Sequence, residues 1–225
     1  MKQILFLTLA LLTSAALFAA DSPKDELTTA VKKLESQPNY GWKTTVVVPE
    51  SAQFKPGPTE GKAEKGLIYV EISFGDNITE GVKKGDKAAI TDNEGNWKLA
   101  SELEGEEGFG RFLGALAKNI KTPAEQISEL MPLTKDLKKD GDVFSAELTE
   151  EGAKKQFRFG EPKNPKGSMK AWVKDGMISK LEIKVDAKIE FNGNEFDAAR
   201  TTTTEIKNIG TTKVTVPEGA KKKLA

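Results

Sequence analysis

An unbroken alternation of apolar and charged side chains over residues 181–191 restricts the folds open to this chain. Successive side chains of a β-strand point to opposite faces, so the pattern predicts one strand about 36 Å long with a single apolar face. A strand of that length needs a cover over its apolar face. The side chains expected to be buried under that cover are Leu181, Ile183, Val185, Ala187 and Ile189.

Turn signals on both sides of this strand predict its neighbours. Lys174-Asp175-Gly176 is typical of a hairpin turn after a strand over residues 168–173, and Asn192-Gly193-Asn194 is typical of a second tight turn. Residues 196–209 are expected to return antiparallel, because they are rich in β-branched threonines. The last third of the chain is therefore predicted to be a meander of long strands.

Shorter strands are predicted where apolar residues alternate between turn-forming residues. Residues 50–61 contain two prolines and two glycines and are expected to form an exposed loop. The predicted shorter strands cover residues 40–48, 67–74, 87–91, 97–99 and 142–148, with a last piece around Val214 and Val216.

Apolar residues at helical spacing predict three helices. The first covers residues 23–36 and begins at the capping residue Ser22. The second covers residues 109–120, and the third covers residues 123–131. A short helical turn is also expected over residues 149–155. Helices placed before and between the strands of a meander predict an α+β domain, in which about three helices cover one antiparallel sheet.

The first twenty residues are typical of a secretory leader. Lys2 precedes an apolar run from Ile4 to Leu12, and small residues end the segment at Ala19-Ala20. The run is too short for a membrane anchor. We therefore expect residues 1–20 to be a signal peptide, residues 21–225 to form a single domain, and the mature protein to be periplasmic or secreted in a bacterial envelope.

Composition argues against several classes of function. The chain has no cysteine and no histidine, which excludes disulfides, thiolate or imidazole metal sites, Ser-His-Asp catalysis and a lipid-modified cysteine. Its 34 basic and 34 acidic residues balance, which argues against nucleic acid as a partner. We expect a protein that is not an enzyme, holds no cofactor or metal, and neither spans a membrane nor carries a lipid anchor.

Three polar segments are interpreted as ordinary surface. Residues 92–96 and Asp140-Gly141-Asp142 resemble parts of a calcium loop, but both lack the downstream glutamate of an EF-hand, so each is predicted to be a turn. Lys221-Lys222-Lys223 is predicted to be a solvated tail.

The chain ends with Trp172-Val173-Lys174-Asp175-Gly176, the two long strands and Thr215-Val216-Pro217. Together with the leader, the first helix and the mid-chain helices, this ending resembles the superfamily of periplasmic outer-membrane lipoprotein carriers and lipoprotein receptors. The resemblance implies a long curved sheet, a half-open barrel, with helices on its concave side. It also implies that a lipid, a lipoprotein acyl chain or another apolar ligand binds in that concavity.

The resemblance places candidate ligand-binding residues on the concave face and on the helix over residues 109–120. That helix would then be a lid whose three glycines ease its opening. Gly114→Ala would stabilise the lid by up to about 1 kcal/mol, provided that a methyl group fits. The candidates are Trp42, Val46, Ile68, Val70, Ile72, Phe109, Phe112, Leu116, Leu181, Ile183 and Val185.

A second interpretation stays open at this point. The same helix can be an ordinary core helix, and Trp42, Trp97 and Trp172 can pack in the sheet instead of forming a binding wall. The protein would then be a structural or protein-interaction domain of the cell envelope, with a filled core and no small-molecule ligand. An apolar cavity of a few hundred cubic ångströms between sheet and helices would favour the ligand-binding interpretation.

Overall fold

The computed structural model describes residues 22–50, 52, 55–157, 161–191 and 194–225. Its strands form one large, curved antiparallel sheet that does not close on itself, which confirms the predicted α+β fold. The predicted leader, and residues 192–193 of the predicted turn, lie outside the described residues. The strands are β1 (Asn39–Val47), β2 (Thr59–Glu64), β3 (Leu67–Phe74), β4 (Asn77–Lys84), β5 (Lys87–Thr91), β6 (Trp97–Leu99), β7 (Thr134–Asp140), β8 (Val143–Leu148), β9 (Glu161–Lys174), β10 (Met177–Phe191), β11 (Asn194–Asp197) and β12 (Arg200–Lys207).

Five α-helices accompany the sheet in the described part of the chain, together with a short 3₁₀ helix at Met131–Leu133. Ser22 caps the first helix and Thr122 caps the third, each by accepting a hydrogen bond from a backbone N–H of the first turn. The helices are α1 (Pro23–Glu35), α2 (Gly108–Lys118), α3 (Pro123–Leu130), α4 (Glu150–Lys154) and α5 (Glu218–Leu224).

The sheet consists of two meanders joined at its centre. The strand order is β6-β5-β4-β3-β2-β1-β12-β10-β9-β8-β7, and β11 pairs with the far end of β10. The first meander, β1 to β6, runs from the centre of the sheet to one edge, and the second, β7 to β12, runs from the other edge back to the centre. The two meanders meet where β1 pairs with β12. Residues 100–133, which include α2 and α3, connect the two edge strands, β6 and β7.

The two faces of the sheet bury different clusters. On the inner face, side chains of β1, β3 and β10 pack with those of α1 and α3, and α2 covers a second cluster over β5. On the outer face, Tyr69 and Val82 pack with Ala220 of α5. The predicted alternation of β10 is confirmed, because Leu181, Ile183, Val185 and Ala187 are buried on the inner face and Ile189 is half-buried.

The structure differs from the predictions in strands that lack an apolar alternation. β2, β4 and β7 were not predicted, and β9 begins seven residues earlier than expected. In β2, Gly61 lies directly beneath the indole ring of Trp42, and in β4, Gly81 lies beneath Ile120. A large side chain from a neighbouring element thus fills the space at these glycines, and the strand's own sequence does not reveal it.

The C-terminal predictions were wrong. Lys221, Lys222 and Lys223 belong to α5, which packs on the outer face through the buried Ala220, and are not a free tail. Val214 and Val216 contribute to the same cluster without forming a strand. The two acidic segments are turns, as predicted; the Asp92 carboxylate accepts hydrogen bonds from the backbone N–H groups of Glu94 and Asn96 at 3.0 and 2.8 Å.

Candidate functional site

Seven of the eleven predicted ligand-binding residues are buried in helix-packed clusters. Six of them belong to the cluster that α1 and α3 cover, where they meet Leu27, Leu34 and Ile127. The half of the inner face beneath these two helices is therefore filled by side chains. The seven buried residues are Trp42, Ile68, Val70, Leu116, Leu181, Ile183 and Val185.

The other four predicted residues lie where the inner face is less covered. Val46, Ile72 and Phe112 are half-buried, and Phe109 is 43% exposed. They lie toward the end of the sheet where β1 and β3 finish and β4 begins. Strand register places Val46 opposite Thr202, and Thr59 lies between Thr44 and Ile72.

An aromatic series connects the sheet to the start of α2. The ring centres of Phe74 and Phe112 are 5.7 Å apart in an edge-to-face arrangement, and those of Phe112 and Phe109 are 5.5 Å apart and stacked. Ile72 packs against both the buried cluster beneath α2 and the cluster beneath α1 and α3. We call the half-buried set the inner patch; it consists of Thr44, Val46, Ile72, Phe74, Phe112 and Thr202.

Few polar groups lie in or beside the inner patch among the described residues. The hydroxyl groups of Thr44 and Thr204 lie 2.9 Å apart and share a hydrogen bond across the β1–β12 pair. Arg200 follows on the same face of β12; its guanidinium carbon lies 4.7 Å from the ring centre of Phe157, and it donates to the carbonyl of Gln156. Among the described residues, no three acidic side chains come together to hold a metal ion.

Several of these residues were missing from the sequence-based list. Phe74 shares the alternation of Ile72, so the pattern itself could have included it. Thr44 and Thr202 fall on the same face as Val46 once the pairing of β1 with β12 is known. Arg200 and Phe157 meet only because β12 and the end of α4 come together, and no local signal indicates that contact.

The glycines of α2 do not behave as expected for a loose lid. A Cβ at position 114 would lie 2.9 Å from the Cβ of Leu103, so the helix packs closely there and a methyl group does not fit. The condition on which Gly114→Ala was expected to stabilise the helix, room for a methyl group, is therefore not met. Gly108 has a φ of 58°, a left-handed conformation that favours glycine, and it starts the helix without a side-chain cap from Glu107.

The three tryptophans do not form a common wall. Trp42 lies in the inner core, Trp97 contacts Gly219 of α5, and the Trp172 ring lies 4.3 Å from the amino group of Lys180. Two grooves of about 400 and 390 Å³ open on the outer face instead, and none of the eleven predicted residues lines either groove. The first has a polar lining that includes Gly41, Lys62, Lys207 and Thr212.

Comparisons with known proteins add a likeness of fold. No family model matches this sequence, and no curated protein sequence matches it. The structure is similar to that of the Mycobacterium tuberculosis lipoprotein LppX, with 6% identity, a TM-score of 0.49, and coverage of 87% of this chain and 98% of that one. It is also similar to LprF from Mycobacterium bovis, with 9% identity, a TM-score of 0.40, and coverage of 88% and 96%. Likenesses of this size carry no conclusion about function.

No helix in the described residues is both long enough and apolar enough to cross a membrane.

Proposed function

We propose that this protein is a non-enzymatic protein of the bacterial envelope that binds a lipid acyl chain, or a similar apolar ligand, at the inner patch. The location follows from the leader-like residues 1–20, which we propose to be removed on export from a single domain of residues 21–225. The resemblance of the element order to lipoprotein carriers supports the ligand class by analogy only.

One observation carries the proposal. The aromatic series Phe74–Phe112–Phe109 passes from half-buried to exposed on the inner face, toward the end of the sheet where Val46 and Ile72 also lie. This apolar surface belongs to a chain with 30% charged residues and a mean hydropathy of −0.46. Covering such surface with an acyl chain gains about 25 cal/mol for each Å² removed from water.

The chemistry of the patch supports binding and not catalysis. Its polar groups are the hydroxyls of Thr44 and Thr202, and the Thr44 hydroxyl already shares a hydrogen bond with Thr204. Activating a hydroxyl as a nucleophile requires an adjacent general base. The chain has no histidine or cysteine, and the guanidinium of Arg200, on the same face of β12 as Thr202, cannot accept a proton.

Adjacent valines on opposite faces of β1 provide a matched test. Val46 belongs to the inner patch, whereas Val47 is 67% exposed on the outer face. We expect Val46→Lys to weaken binding of a fluorescent uncharged lipid at least tenfold, because it places a charge among apolar groups. Val47→Lys should bind the probe like the wild type. Thermal unfolding of both variants checks that they fold, and Phe112→Ala offers a second, smaller perturbation.

The same titrations decide against the proposal if the wild type takes up no probe, or if both valine variants weaken binding equally. The second candidate function, a protein-interaction domain with a filled core, would then be favoured, and the tight packing of the inner face beneath α1 and α3 already supports it. Native mass spectrometry of exported protein provides an independent check, because a lipid carrier should retain a lipid through purification.

A further inference from the structure

A groove on the outer face combines an apolar floor with a basic rim. It has a volume of about 390 Å³ and lies between α5 and the turns that connect β2 to β3 and β4 to β5. It is on the opposite side of the sheet from the inner patch. The lining residues are Glu64, Lys65, Leu67, Lys84, Val216, Lys221, Leu224 and Ala225.

The floor is the incompletely covered margin of the outer-face core. Leu67, Val216 and Leu224 are half-buried and pack against the buried cluster of Tyr69, Val82 and Ala220. The end of α5 is held in place, since the Lys87 amino group donates to the Ala225 carbonyl at 2.6 Å. An apolar strip thus remains open at the junction of α5 with the sheet.

The rim carries positive charge that the described residues do not neutralise. Lys65 and Lys84 form no ion pair with any described residue, whereas Lys221 pairs with Glu218. The Glu64 carboxylate accepts a hydrogen bond from the Val214 backbone N–H at 2.9 Å and keeps its negative charge. The two unpaired lysines outweigh this one carboxylate, so the lining has an excess of positive charge. Lys84 lies directly opposite Leu67 in the β3–β4 pair, so charge and apolar floor adjoin.

We propose that this groove binds a single-chain anionic amphiphile, such as a medium-chain or long-chain fatty acid. The alkyl chain would lie on Leu67, Val216 and Leu224, and the carboxylate would meet Lys65 and Lys84. Its volume is at the lower end of the range of about 300 to 1,000 Å³ found for small-molecule sites, which suits one chain better than two. This site is independent of the proposed function of the inner patch.

The test uses dodecanoate labelled with ¹³C at its carboxylate, with binding to the full chain followed by NMR. The double variant Lys65→Gln/Lys84→Gln should weaken binding at least tenfold and change the chemical shift of the bound carboxylate. The matched control is Lys135→Gln/Lys138→Gln, because both lysines are exposed on the edge strand β7 and form no ion pair with described residues. We expect this control to bind dodecanoate like the wild type.

Two further arms separate this site from the inner patch and from plain hydrophobic binding. Val46→Lys should leave the carboxylate signal unchanged, and dodecanol, which lacks the charge, should bind wild type and Lys65→Gln/Lys84→Gln alike. The proposal is overturned if dodecanoate binding is lost in Val46→Lys and retained in the double-lysine variant. It is also overturned if dodecanol and dodecanoate bind the wild type equally, or if no dodecanoate binds.

Discussion

Glycines in this molecule make room for larger neighbours. Gly61 lies beneath Trp42, and Gly81 lies beneath Ile120. In each pair, the large side chain occupies the space that a side chain on the glycine would need. Gly114, in the middle of α2, has the same relation to Leu103 in the segment after β6. Close packing of this kind makes added volume as harmful as lost volume.

Two glycines of α2 give the same prediction for substitution by alanine. Gly114→Ala should lower the free energy of unfolding by about 1 to 3 kcal/mol, because the new methyl overlaps the Leu103 side chain. At Gly110 the methyl would lie 2.8 Å from the Cβ of Glu106, an atom whose position the backbone fixes, so Gly110→Ala should also be destabilising, by about 1 to 3 kcal/mol. Urea unfolding measures both changes, and equal stability of Gly114→Ala and wild type would refute the packing argument.

At the residue scale, prediction worked where a side chain's surroundings follow from its own strand. Ile72 and Val46 lie on the inner face as expected from alternation. The burial of each residue could not be predicted from the alternation, because it depends on which helix lies above that residue. Leu181 and Val46 share one face, yet α1 and α3 seal only the first. The surroundings of Arg200 and Lys84 likewise depend on segments distant in sequence: Arg200 contacts Phe157, and Lys84 lines the outer groove together with Val216 and Leu224.

At the element scale, β10 provides a direct test of the alternation. Ile183 is 3% exposed within the inner core, and the neighbouring Lys184 is exposed on the other face. Ile183→Ala should therefore cost about 2 to 5 kcal/mol of stability. Lys184→Ala should change stability by no more than about 0.5 kcal/mol. Chemical denaturation of the pair is the measurement, and similar losses would mean that the strand faces are assigned wrongly.

Elements with a strong periodic pattern were predictable, and those supported by tertiary contacts were not. The patterns of α1, α3, β3 and β10 are clear in the sequence. The edge strand β7, with the sequence TKDLKKD, shows little apolar alternation, and charged edge strands of this kind discourage association with other chains. Helix α5 was missed because its three lysines hide the single buried residue, Ala220.

At the scale of the whole molecule, alkaline pH should weaken the fold through its two tyrosines. Burial raises the pKa of Tyr40 from 10.0 to about 12. Burial also raises the pKa of Tyr69 far above its ordinary value, and hydrogen bonds from its hydroxyl to the Glu80 and Glu71 carboxylates add to the effect. Below about pH 10 both tyrosines are neutral in the folded and unfolded chains, so their stabilising contribution is fully present.

Above about pH 10 the unfolded chain releases tyrosine protons that the folded chain retains, so stability should fall as the pH rises toward 12 and beyond. Tyrosinate absorbance should therefore appear near pH 10 in urea but only well above it in the native protein. Tyr40→Phe should remove the earlier native transition and leave that of Tyr69. Ionisation of either tyrosine near pH 10 in the native state would contradict the burial of these side chains.

The central pairing of β1 with β12 also bears on how the chain is made. All other neighbours in the sheet order are joined through hairpins or short connections. The partner of β1 on one side, β12, lies about 160 positions later in the sequence, as in the Thr44–Thr204 pair. During synthesis the first meander is therefore complete while one side of β1 still offers unpaired backbone groups. Such an edge invites pairing with other chains. A chaperone that binds the nascent chain until residues 200–207 are synthesised would protect this unpaired edge of β1 from aggregation.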